Sequence, residues 1–174
     1  AAEWLARHGH AGPETSGAYM WLHFNLSHAQ AERWLLRHAG LSDLFFETLK
    51  EGLHSTRIER ADDSLIAVIN DVQFDFTLDS SSIASTSIAV DKFLFISARL
   101  KPLRSIDQLR KAVRSDTPFR STTELLAHLL QDQAEVLVEI LRVSTQRVDR
   151  IEDQLLSNRI TVNRSELGNL RRVL

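Results

Sequence analysis

From Ser121 to Leu167 the chain contains neither glycine nor proline. Within that run the apolar residues keep a regular step. Leu130, Ala134, Leu137, Leu141, Ser144, Val148, Ile151 and Leu155 alternate spacings of four and three, the period of a coiled-coil or helical-bundle seam. Ser121 and Glu124 form a capping box ahead of it, a serine that accepts from an early helical amide and a glutamate that reaches back. The pattern predicts one helix over residues 122–157, 36 residues or about 54 Å at 1.5 Å per residue. Globular helices average about 11–12 residues. A helix this long cannot lie wholly on a compact sheet, so part of it is expected to project, with its lower half packed on neighbouring helices. A turn is expected over 158–163, followed by a last helix capped by Asn163 and Glu166. That helix is still running at Leu174, which reads as a chain cut in mid-helix.

The first two thirds carry a different pattern. Met20, Leu22, Phe24 and Leu26 alternate with Trp21, His23 and Asn25, a strand with one fully apolar face. Ser27 and Gln30 predict a capped helix ending near Gly40, and a second short helix runs from Ser42 to Gly52. Two hairpins follow, one turning at Asp62 and Asp63, the other at Asp91 and Lys92. The stretch from Leu65 to Asn70 is apolar on both faces, as in a buried strand. Pro102 closes the β section, and Ser105 with Gln108 predicts a further capped helix, broken after Arg114 by Asp116, Thr117 and Pro118. Glu3 to Arg7 reads as the tail of a strand leading into a loop over Gly9, Gly12 and Pro13. The expected fold class is therefore α/β (α+β): a mixed β-sheet between helical layers, then a long projecting helix and the beginning of a second. The expected domains are residues 1–118 and 119–174.

Composition narrows the functions. The formal net charge is -2, so no basic excess is available for phosphate backbones and nucleic-acid binding is disfavoured. The chain has no cysteine, which excludes disulfides, thiolate metal sites and cysteine nucleophiles. It has no apolar run near the ~20 residues that a membrane-spanning helix needs. No catalytic or phosphate-cradling motif is present, so neither an enzyme nor an organic cofactor is expected.

Four stretches, in order, resemble the CorA family of divalent-cation transporters, in particular the cytoplasmic domain of its zinc-transporting branch. They are MWLHFNLSHAQAERW from Met20, ETLKEGLHSTRIERADDSLIAVIND, SIAVDKFLFISARLKPLRSIDQLRKAV, and RVDRIEDQLLSNRI followed by ELGNLRRVL. The resemblance covers nearly the whole chain; the family's Gly-Met-Asn pore signature is absent from it. It implies the cytoplasmic regulatory domain of an inner-membrane protein, joined to the membrane only through a missing C-terminal segment. It also implies a homopentamer around an ion path and divalent cations, Zn²⁺ or Mg²⁺, as transported or regulatory ligands.

One set of residues carries the chemistry such a reading needs. Glu124, His128, Asp132, Glu135 and Glu139 are spaced four, four, three and four, which places them in one stripe of the long helix. Stacked carboxylates repel, and a divalent cation relieves that repulsion. Carboxylate with imidazole suits Zn²⁺, and carboxylate with water suits Mg²⁺. The same five residues also fit a solvated acidic face opposite the seam, and the resemblance assigns no ligands there. His8 and His10 flank Gly9 in what reads as a surface turn, His23 reads as structural, and Asp71, Asp75 and Asp79 miss the pattern of a calcium loop. Two other functions compete with the transporter: a free-standing scaffold using the long helix as a dimerisation arm, and a metal-dependent enzyme built on the stripe.

Overall fold

A computed structural model of the chain describes residues 3, 19–50, 56–73, 83–115 and 117–156, of which 154–156 by backbone alone. The expectations for the first loop with His8 and His10, for Gly52, Asp75, Asp79 and Asp116, and for everything after Leu156 lie outside the described residues. Glu3 has a helical backbone where a strand tail was expected.

Five strands form one sheet: β1 (Met20–Asn25), β2 (Arg57–Ala61), β3 (Ser64–Val72), β4 (Ile83–Val90) and β5 (Leu94–Arg99), in the spatial order β1-β5-β4-β3-β2. β1 runs parallel to β5, and the other three pairings are antiparallel, so the sheet is mixed. Both hairpins turn where the paired aspartates and Asp91-Lys92 predicted. Asp62 takes the left-handed backbone (φ 51°), which aspartate tolerates because its short side chain can bond locally. Asp91 locks its turn by accepting from the amides of Phe93 and Leu94, both at 2.7 Å.

Helices cover both faces. On one lie α1 (Ala29–His38) and α2 (Asp43–Lys50), with Leu35 and Phe45 buried against Ile66, Ala89, Leu94, Ile96 and Ala98. The apolar face of β1, Met20, Leu22 and Phe24, joins that layer. On the other lie α3 (Arg104–Arg114) and the first turns of α4 (Thr122–Leu156), with Ile106, Leu109, Leu125, Leu126 and Leu129 packed on Ala67, Ile69, Ile88, Val90 and Phe95. The sheet between helical layers is thus the observed fold. β3 is buried on both faces from Ile66 to Val68 and at Ile69, as its continuous apolar run required.

Two expected caps are replaced. α1 begins at Ala29, and its N-cap His28 makes no side-chain cap bond. Ser27 lies outside the helix, donating its hydroxyl to the carbonyl of Leu100 at 3.1 Å, while its amide donates to Asn25 Oδ1 at 3.0 Å. Ser105 does not cap α3 either. Its amide and hydroxyl both donate to Asp71 Oδ2, at 2.8 and 2.6 Å. A tertiary carboxylate outcompetes the local serine because it brings a full negative charge to the helix N-terminus. The third box holds: Glu124 N–H donates to Ser121 Oγ at 3.1 Å, and the Glu124 carboxylate accepts from Arg120 N–H at 2.6 Å.

α4 is one helix of 35 residues, about 52 Å long. The stripe it turns inward is Leu129, Gln133, Val136 and Ile140, then Ser144 and Ile151. That corrects the expected seam. Its upper members Ala134, Leu137 and Leu141 lie one residue round the helix and are exposed, Leu137 by 47% and Leu141 by 54%. One residue is a rotation of about 100°, and two apolar stripes run side by side here; the sheet took the one that continues from Leu125 and Leu129. Val136, Ile140 and Ile151 form a separate small cluster with Val72.

Candidate functional site

α4 is anchored at two points. Thr122 Oγ1 donates to the Asp91 carbonyl at 2.6 Å, tying the helix start to the β4–β5 turn. Gln133 Nε2 donates to the Asn70 carbonyl at 2.6 Å, tying the next turns to β3. These bonds fix the rotation of the helix and so decide where its acidic stripe points.

The five stripe residues have separate partners. Glu124 is exposed and serves the helix cap. His128 Nε2 lies 3.6 Å from Asp132 Oδ2, and the His128 ring meets Phe119 edge to face at 5.2 Å. Glu135 is exposed. Glu139 is paired across to α3 through Arg104 at 3.7 Å. Helical spacing thus brings together His128 and Asp132 and leaves the other three apart. Among the described residues no group of three or more His, Asp or Glu lies close enough to hold a metal ion.

Asp132 is the perturbed member. Its carboxyl is held above the usual carboxylate range, first by burial, then by the neighbouring charges of Glu135 and Asp71, with His128 opposing. Its Oδ2 is buried and makes no hydrogen bond. A carboxylate oxygen without a donor faces an imidazole nitrogen at 3.6 Å, close to the separation of about 3.4 Å between two ligand atoms bound at about 2.0–2.2 Å and a tetrahedral angle. Tyr19 closes the neighbourhood, donating to the Phe119 carbonyl at 2.8 Å. Burial, and then Glu124, push its phenol above its ordinary range.

Asp71 was missed from sequence, where it was considered only as one of three regularly spaced aspartates. Fully within the protein at 3% exposure, it caps α3 and lends its charge to the field around Asp132. The available signal was an aspartate inside an otherwise apolar strand, which demands a buried partner. A cleft of about 620 Å³ opens at the other end of the sheet, among Gly40, Asp62, Asp63, Asp91 and Lys92.

A mixed sheet sandwiched by helices and followed by a helix of 35 residues defines an α+β domain with a long C-terminal arm. The CorA-like Mg²⁺ transporter protein family model matches residues 16–174, and the chain belongs to that family. It is 26% identical over 165 residues to the divalent cation transporter CmaX of Pseudomonas aeruginosa, a match covering 92% of this chain and 48% of CmaX. The structure of full-length CmaX superposes with a TM-score of 0.76 at 22% identity, covering 89% of this chain and 48% of that one. The soluble domain of CorA from Methanocaldococcus jannaschii gives 0.67 at 20% identity (89% and 62% covered). The ZntB cytoplasmic domain from Vibrio parahaemolyticus gives 0.65 at 16% (78% and 57%). The chain spans about half the length of the curated relative it matches. Among the described residues no helix is long and apolar enough to cross a membrane.

Proposed function

We propose that this chain is the cytoplasmic regulatory portion of an inner-membrane divalent-cation transporter, acting through subunit packing rather than catalysis, with the pore supplied by sequence other than these 174 residues. Residues 1–118 form the body and 119–174 the arm that couples it to the pore. The observation that carries this reading is α4, which packs one side on the sheet and exposes Leu137, Val138 and Leu141 on another. In a homopentamer these residues would pack on neighbouring helices. The family match favours the transporter over a free-standing scaffold.

The regulatory ion would be Zn²⁺ or Mg²⁺, with the imidazole of His128 favouring Zn²⁺ and the zinc-transporting branch of the family. His128 and Asp132 would supply one half of the site. Glu124, Glu135 and Glu139, dispersed within one chain, would contribute from a neighbouring copy or through water. An ion held between subunits stabilises one arrangement of the ring by its differential affinity, and its loss shifts the population. Calorimetric titration of Zn²⁺ and Mg²⁺ tests this. Asp132→Ala and His128→Ala weaken binding by at least ~10-fold, and Glu135→Ala with Glu139→Ala weakens it further. Unchanged affinity in all of these variants refutes the site, and a reading frame that stops without apolar spans refutes the transporter.

A further inference from the structure

We infer that Arg99 and Arg110, set over His23 and Ser97 at the β1 edge of the sheet, form a binding site for a phosphate oxyanion. Strand register builds it. In the parallel β1–β5 pair His23 lies beside Ser97 and Asn25 beside Arg99. Alternation then turns Trp21, His23, Ser97 and Arg99 to one face, the face that Trp21 and Phe95 share with α3. Arg110 comes from α3 itself.

The hydrogen bonds fix the histidine. The indole N–H of Trp21 donates to Ser97 Oγ at 2.9 Å, and His23 Nδ1 lies 2.9 Å from the same oxygen. Ser97 is fully buried and has no other side-chain partner among the described residues. Its own proton is satisfied only by Nδ1, so the neutral ring carries its hydrogen on Nε2. Burial first, and then Arg99 and Arg110, lower the His23 pKa to about 4, in keeping with a neutral ring. His23 Nε2 and Arg99 Nε are both buried without a hydrogen-bond partner, two of the five such side-chain atoms among the described residues. Orphaned donors in one place call for an absent acceptor.

The charges say what kind. Neither guanidinium has a carboxylate within ion-pair distance among the described residues. Among the described residues Asp107 is the one acid acting on Arg99, and it is engaged by Lys111 at 3.0 Å. Burial and Arg110 both disfavour the charge on Arg99. With Asp107 and Lys111 neutralising each other, two guanidiniums remain without a carboxylate, a charge that a phosphate oxyanion neutralises. Arg99 and Arg110 are both part-buried, and two planar forks match the oxygens of a phosphate.

Titration of the full chain with sodium phosphate and with ATP, free of divalent metal and at fixed ionic strength, tests the site. Saturable 1:1 heat is expected, weakened at least ~10-fold by Arg99→Gln and by Arg110→Gln and unchanged by Lys92→Gln at the far turn. ATP binding more tightly than phosphate assigns the site to a nucleotide; equal affinity assigns it to free phosphate. No saturable binding of either, or affinity indifferent to Arg110→Gln in a variant with unchanged circular dichroism, overturns the inference. So does an Arg110→Gln effect confined to self-association, which would place a carboxylate of a second copy there.

Discussion

Replacing Asp71 by alanine tests how the body of the protein is held together. Its Oδ2 accepts the amide and hydroxyl of Ser105, and its Oδ1 accepts the amide of Val72 at 2.7 Å. Ser105 is fully buried, so water cannot replace the lost acceptor. Hydrogen bonds to a charged partner contribute about 1.5–3 kcal/mol each, and the charge at the α3 N-terminus adds about 0.5–1 kcal/mol. Against this stands the desolvation of a carboxylate at 3% exposure, which the variant recovers and which offsets several kcal/mol. The balance is a loss of about 3 kcal/mol, because two buried amides and one buried hydroxyl lose their acceptor. Asp71→Asn keeps one acceptor oxygen and is expected to lose about half as much. Urea unfolding followed by far-ultraviolet circular dichroism gives the answer: at a slope of about 1–3 kcal/mol per molar, the alanine midpoint falls by ~1 M or more. A midpoint within ~0.3 M of the parent, with the slope unchanged, would show that the carboxylate is dispensable and the cap is made elsewhere.

Other perturbations separate the remaining ideas. His23 has a folded pKa of about 4 against 6.5 unfolded, so the unfolded state takes up its proton first. Its contribution is fully present above pH 6.5, is lost as pH falls towards 4, and amounts to about 3 kcal/mol across that window; His23→Gln should flatten the urea-midpoint curve there. Asp132 has the opposite sign: its carboxyl is raised by burial, so the folded state takes up that proton first on acidification. Asp132→Asn is therefore expected to stabilise the metal-free protein at pH 7 while weakening the proposed Zn²⁺ binding, and a destabilised variant would contradict the orphaned geometry of Oδ2. Along α4, Ile140→Ala should cost about 2–4 kcal/mol, whereas Leu137→Ala should stay within ~0.5 kcal/mol in the separated chain. Equal costs would mean that the helix is rotated from the stripe described.

Most of the fold was legible because it rests on periodicity. The alternation at Met20–Leu26, the doubly apolar Leu65–Asn70 and the glycine-free run after Ser121 each demand one kind of element, and strand and helix bounds fell within a few residues of expectation. What was illegible rests on contacts distant in sequence. Ser27 and Ser105 have the local look of caps, yet their bonds go to Leu100 and Asp71, 73 and 34 residues away. Between Leu129 and Ile140 the inward stripe lies one residue from the expected seam, which it rejoins at Ser144 and Ile151, because Leu129 and Leu130, Val136 and Leu137, Ile140 and Leu141 are adjacent apolar pairs; spacing alone cannot say which of each pair meets the sheet. The acidic stripe was legible as a stripe, but only the His128–Asp132 step brings side chains together. The field of Asp71 at Asp132 comes from β3, which no pattern within the helix encodes.

The doubled stripe on α4 connects the fold to the proposed role. One stripe, Leu129 to Ile140, is consumed by the body. The other, with Leu137, Val138 and Leu141 exposed by 47, 65 and 54%, begins at the level where the body thins to the small Val72 cluster. Isolated helices draw little stability from propensity and most of it from tertiary packing, and a run of large exposed aliphatics is costly unless covered. A helix that carries apolar residues on two adjacent sides is therefore suited to two sets of neighbours, the sheet on one side and other helices on the second. Under the proposed function, a metal ion at His128 and Asp132 would sit on the other flank of the buried stripe, away from Leu137 and Leu141, where it would bias the seating of the helix on the sheet and, through it, the direction of the exposed stripe.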